Sequence, residues 1–258
     1  MAYFCRMRFS FLLIALPILL LGCRKTEDIG NSFQPAIDNA TAFQALASHA
    51  FIPTAEVLRD WGNSRATVPL LLLTDSGIWF DFNSGVVCAD GLTRKGKCLI
   101  KNGYSGSIFF LDTCLMTART EDSFAVMGSK GPIYFSGTLN FTSSSFYEIA
   151  VHANAELRIN KEKFPINLTG IINLDPQGQT TRNAKFKTNW TADAIISTGE
   201  GFHYEVSREG KCFPCFAVGK GYNASKTMNI NFNPFNNAAC DPVAKFTSGR
   251  EEWLEDLW

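Results

Sequence analysis

Histidine is scarce, at three residues in a chain of 258, and its scarcity narrows the routes to catalysis. A serine or cysteine nucleophile needs an adjacent base. Yet His152 and His203 fall at outward positions of strand-like segments, and His49 on the polar side of a helical one. Ser76 and Ser84 lie in "DSGI" and "NSGV", which are not nucleophile elbows. Neither an H-E-x-x-H pair nor a Gly-rich phosphate loop occurs. An excess of one charge is missing too: 24 Lys plus Arg face 24 Asp plus Glu, so no basic field exists to hold nucleic acid. Past the N-terminus, no apolar run is long enough to span a bilayer. Chemistry by two carboxylates roughly 5 to 9.5 Å apart, as in glycosidases, stays open. No cofactor or metal is expected.

The first residues have the parts of an export signal. Arg6 and Arg8 precede an apolar run from Phe9 to Leu21 that is broken only by Ser10. As a helix this run would reach about 20 Å, short of the ~20 residues that cross a membrane, so a signal peptide is expected. Leu20-Leu21-Gly22-Cys23 resembles the lipobox of bacterial lipoproteins. That resemblance implies cleavage before Cys23 and acylation of its thiol, and several acyl chains hold a membrane where one does not. Lys25-Thr26-Glu27-Asp28 resembles the short acidic signal that sends Bacteroidota lipoproteins to the outer face of the outer membrane, with Thr26 interrupting it.

Residues 1–22 are thus read as signal peptide and 23–34 as a flexible tether. Residues 35–66 are read as a helical segment, with Phe43, Leu46, Ala47, Ala50 and Phe51 at helical spacing, Asp38 or Asn39 as cap and Pro53 as stop. "TAEVLRDWGN" continues it as a second short piece. From residue 67 to 258 the apolar period is two. Ile78, Phe80 and Phe82 alternate with polar neighbours, as do Ile149 to Ile159 and Met228, Ile230 and Phe232. Turn clusters such as "MGSKGP" and "STGEG" separate the strands. The expected fold is mainly β: an antiparallel sandwich, curled sheet or partial barrel with a short N-terminal helical segment.

One internal echo is present. Phe82-Asn83 to Cys88-x-Asp90 and Phe232-Asn233 to Cys240-Asp241 each follow a strand with a small-residue turn, a cysteine and an acid. These turns, "DNATAFQALASHAF" and "FAVMGSKGPIYFSGTLNFT", resemble their counterparts in a group of Bacteroidota cell-envelope lipoproteins. The resemblance implies an all-β lipoprotein and supplies no catalytic residue. Pro234 and Asn236 stand where that group shows glycine.

With Cys5 removed and Cys23 acylated, Cys88, Cys98, Cys114, Cys212, Cys215 and Cys240 remain, and on an exported chain they are candidates for structural disulfides. "KCFPC" is flanked by strand and turn signals, which argues against a redox site. Trp190, at a strand end, and Trp253, in the tail "EEWLEDLW", are candidate ligand-contact aromatics. The expected protein is a non-catalytic lipoprotein of the bacterial outer membrane, facing periplasm or cell surface. Its partners would be the membrane, through the N-terminal lipid, and an extracellular glycan or protein ligand. The alternative is a carboxylate-dependent hydrolase of extracellular glycans or peptides.

Overall fold

A computed structural model describes residues 30–49, 70–88, 92–102, 113–128, 131–145, 148–174, 187–196, 199–209, 216, 218–236 and 242–257. Cys23, most of the expected tether, the second helical piece and Cys212, Cys215 and Cys240 lie outside these residues.

The fold is mainly antiparallel β with one N-terminal helix, α1, over residues 30–49. Its described part includes residues 30–34 of the segment expected to be tether, and Asp38 and Asn39 lie within it rather than at a start. Strands β1 (Leu70–Thr74) and β2 (Gly77–Asp81) form a hairpin, and β3 (Val86–Val87) and β4 (Thr93–Lys95) a side excursion. Then come β5 (Lys97–Asn102), β6 (Thr113–Ala118), β7 (Ala125–Gly128), β8 (Gly131–Ser145), β9 (Glu148–Ile159) and β10 (Glu162–Leu174). The chain continues through β11 (Lys187–Ile196), β12 (Gly201–Glu209), β13 (Val218–Asn223), β14 (Met228–Asn231), β15 (Val243–Ser248) and β16 (Glu251–Asp256).

These strands make one sheet, in the order β1-β2-β5-β6-β8 and then strictly sequential to β16. Strand β8 is the pivot, pairing through its first residues with β7 and from Gly137 onward with β6. Gly137 has φ 126°, and a Cβ there would strike the backbone of Asn154 and Ala155. Only glycine fits this switch.

The expected alternation holds along the strands. On β9, Val151, Ala153, Ala155 and Leu157 are buried while His152, Asn154 and Arg158 are exposed. The buried face closes on α1 from strands far apart in the order. Phe43 meets Trp190 of β11 and Tyr204 of β12, His49 meets Phe135 of β8, and Gly30 lies against Trp253 of β16. The sheet is therefore curled, and the helix lies in its concavity. Ala36, Ala40, Ala42, Ala45 and Ala47 are all buried, because small side chains allow close approach to strands on several sides.

The internal echo is a shared turn. Asp81 Oδ1 accepts from the Asn83 amide (2.8 Å), and Asn231 Oδ1 accepts from the Asn233 amide (2.9 Å). Each polar side chain turns the chain out of its strand. Asp81 is buried, unlike its expected outward place, and pairs with Lys97 at 3.0 Å. Burial raises its carboxyl's pKa, but the Asn83 amide and Lys97 outweigh it and hold the group below its usual range.

Candidate functional site

A curled sheet can serve as a ligand cup, and what lies in the cup decides its use. Here α1 fills it. Asn39 donates from Nδ2 to the carbonyls of Ala194 (3.2 Å) and Glu200 (3.3 Å), and its Oδ1 accepts from the Tyr204 hydroxyl (2.7 Å). Burial raises the Tyr204 pKa well above its ordinary value, so the hydroxyl stays protonated and donates. Phe43 stacks on Tyr204 and Phe216, at ring-centroid distances of 4.1 and 5.2 Å.

The last described turn of α1 is held by two buried arginines from distant strands. Arg94 of β4 donates to the Ser48 carbonyl (3.0 Å). Arg208 of β12 donates to that of Ala47 (3.5 Å) and covers the Phe216 ring. Donation from a charged guanidinium makes these the stronger kind of hydrogen bond to a backbone carbonyl. His49, expected at the surface, is fully buried between Phe124 and Phe135. Among the described residues neither ring nitrogen makes a hydrogen bond of full geometry, although the Ile133 backbone lies close enough to act on the ring. Burial, reinforced by the charge of Arg94 and partly opposed by the Ile133 backbone, lowers its pKa to about 3. It is neutral at ordinary pH, and among the described residues no hydroxyl or thiol is hydrogen-bonded to it.

An opening that combines acids with an apolar floor is a cleft of about 160 Å³ beside the first half of α1. Ile37, Ile133, Ile159, Phe164 and Leu257 line it, with Asp38, Glu162, Glu255 and Asp256 around them. Its acids come from α1, β10 and β16, elements brought together only by the curl. Burial and, more weakly, Glu162 raise the Asp38 carboxyl above its usual range, against a 2.7 Å hydrogen bond from Gln34. The volume is below the roughly 300 Å³ of ordinary small-molecule pockets. A side-chain-sized group fits, and an oligosaccharide does not.

The outer face carries a cross-strand network on β11, β12 and β13. His203 Nδ1 lies 2.8 Å from Asp193 and its Nε2 3.7 Å from Glu205, which pairs with Lys220 at 3.0 Å. The Lys220 contact lowers the Glu205 pKa and Glu205 raises that of Lys220. Exposed pairs of this kind add little stability and keep the face hydrated.

The expected site residues scatter. Trp190 is buried against Phe43 and belongs to the core, so it cannot be a ligand-contact aromatic. It shares the inward period with Ala192, Ala194 and Ile196. Trp253 is half-buried, donating from its indole to Glu255 (3.1 Å). Cys88, Cys98 and Cys114 are buried, and among the described residues no disulfide joins them, against the expected bridging. The register explains part of this: Cys114 faces Asn102, four residues along β5 from Cys98. That is about 13 Å at strand rise, beyond disulfide reach. Burial pushes the Cys98 thiol far up and Cys114 to about 12, so neither reacts as thiolate. Among the described residues no group of His, Cys, Asp and Glu is arranged to hold a metal.

Fold and surface define a curled antiparallel sheet wrapped on its own N-terminal helix, with a small acid-rimmed cleft where β16 approaches β10. Compared with protein-family models, curated proteins and solved structures, the chain matches none.

Proposed function

We propose that this chain is the water-facing domain of a lipid-anchored lipoprotein of the bacterial outer membrane, and that it works by structure or surface binding rather than by catalysis. The observation that supports this reading best is the polarity of the two sheet faces. The concave face is apolar and filled by α1, while the outer face carries His152, Asn154, Asn167, Thr169, Asp193 and Glu205. A membrane-spanning barrel has the reverse arrangement, with an apolar band outside. No helix among the described residues is long and apolar enough to cross a bilayer. An acyl group on Cys23 would supply a membrane attachment seven positions before the first described residue of α1, Gly30.

The filled interior bears on the kind of ligand. Recognition falls to the outer strands and the cleft, so a glycan or protein partner would be met on a surface. The test has two arms. Radiolabelled palmitate enters the wild type and not Cys23→Ser, whose precursor stays uncut; equal labelling of both would remove the anchor. Separately, polysaccharides and peptides are screened for binding and turnover. Turnover abolished by Asp38→Asn or Glu162→Gln, at unchanged melting temperature, would replace binding with the carboxylate-dependent hydrolase.

A further inference from the structure

An open sheet has two edges, and here they differ in chemistry. One is β1, which among the described residues pairs with β2 alone. Its Leu70 and Leu72 are 53% and 46% exposed and Leu73 is 83% exposed. Successive residues of a strand point to opposite faces, so β1 is apolar on both. The other edge, β16, carries Glu251, Glu252, Glu255 and Asp256.

Natural sheets blunt an edge with charge, and an uncharged apolar edge is a template for another strand. We propose that β1 is a dimerisation edge, at which two copies of this chain pair β1 to β1 antiparallel about a two-fold axis through Leu72.

Charge selects the occupant. In that register Leu70 meets Thr74 of the second copy and Leu72 meets itself, with no like charges opposed. The same operation on β16 sets Glu251 against Glu255 when the axis passes through Trp253, and Glu252 against Asp256 when it passes through Leu254, so either register opposes like charges, which is destabilising. Joining β1 to β16 of another copy would set carboxylates against leucines and desolvate them. Such a head-to-tail contact would also leave further edges open rather than close on itself. The flanks limit the ladder to five residues: Pro69 has no amide hydrogen to donate, and Asp75 is charged and exposed. Five residues a side bury less than the ~1,200 Å² of a stable complex. The dimer is therefore reversible and favoured where copies are concentrated. The proposal stands on the edge alone and holds with or without a lipid anchor.

Cysteine cross-linking of the full chain tests the axis. Across a two-fold, Leu72→Cys meets its own copy at pairing distance, about 4.5–5.5 Å between Cα atoms, which suits a disulfide. Leu70→Cys is offset from its copy by four residues along the strand and is out of reach. Mild oxidation should give Leu72→Cys dimers at least tenfold above both Leu70→Cys and the wild type. Adding Leu73→Lys, on a side chain already in solvent, should remove them at unchanged melting temperature. Absence of a Leu72→Cys dimer, or equal yields from both positions, would overturn the proposal. So would an adduct with a different protein, which would assign the edge to another occupant.

Discussion

Two aromatic clusters grip α1 about 9 Å apart along its axis, and they treat polarity in opposite ways. Around Phe43, the rings of Trp190, Tyr204 and Phe216 surround Asn39, whose amide hydrogen bonds are made to β11, β12 and the residue before β12. Around His49, the rings of Phe124 and Phe135 enclose an imidazole with no hydrogen bond of full geometry among the described residues. A satisfied buried network fixes one arrangement of the elements it joins, whereas an unsatisfied group costs free energy and specifies little. The Phe43 end therefore sets the rotation and register of α1 against the sheet. The His49 end tolerates change and carries the sensitivity to acid.

The largest effect is expected from Phe43→Ala, which empties the centre of the satisfied cluster and should cost about 3–5 kcal/mol in a denaturant melt. A loss below about 1 kcal/mol would mean that α1 is not the core of the fold. Next comes Tyr204→Phe, which keeps the ring stack and removes the proton held by Asn39 Oδ1. A loss of about 1–3 kcal/mol is expected, and Asn39→Ala on that background should then cost less than it does alone. A double-mutant cycle without coupling would break the contrast between the two ends.

The smallest effect at neutral pH is expected from His49→Leu, within about 1 kcal/mol of wild type, because it removes two unsatisfied nitrogens and keeps the volume. Its signature is in acid. The folded-state pKa of about 3 lies below the ordinary 6.5, so below pH 6.5 the unfolded chain takes up a proton that the folded chain refuses. Stability is complete above pH 6.5 and is lost as pH falls toward 3. Between pH 6.5 and 4.5, above the main carboxylate range, wild type should lose roughly 2 kcal/mol relative to His49→Leu. Parallel pH curves would show that the imidazole is not buried neutral.

The strands were legible because period two survives in any half-buried sheet, and β9 and β14 follow it residue by residue. The two Asx turns were legible as an echo, though their hydrogen bonds were not. Trp190 could have been placed correctly, since its period with Ala192 and Ala194 already points inward; the strand-end argument outweighed that signal. The burial of the helix hid for another reason. A stripe of apolar residues marks a helix with one dry face, but α1 is dry nearly all round, and its Asn39, Gln44, Ser48 and His49 read as a polar face. Their burial depends on strands about 45 to 165 residues away, such as β4 and β12. The cleft acids have no local signature either, because Asp38, Glu162 and Glu255 belong to three elements.

Order of synthesis gives the position of α1 a consequence of its own. The helix leaves the ribosome before every strand that covers it, and β16, which lays Trp253 against Gly30, emerges among the last. In the interval a segment carrying Phe33, Phe43, Leu46 and six further buried apolar residues has only water around it, and a helix whose stability comes from tertiary packing has little to keep it formed there. The domain thus cannot mature one piece at a time from its beginning. The earliest part of the nascent polypeptide must be kept loose until the latest part arrives, the condition in which a chain can still be threaded through a narrow passage.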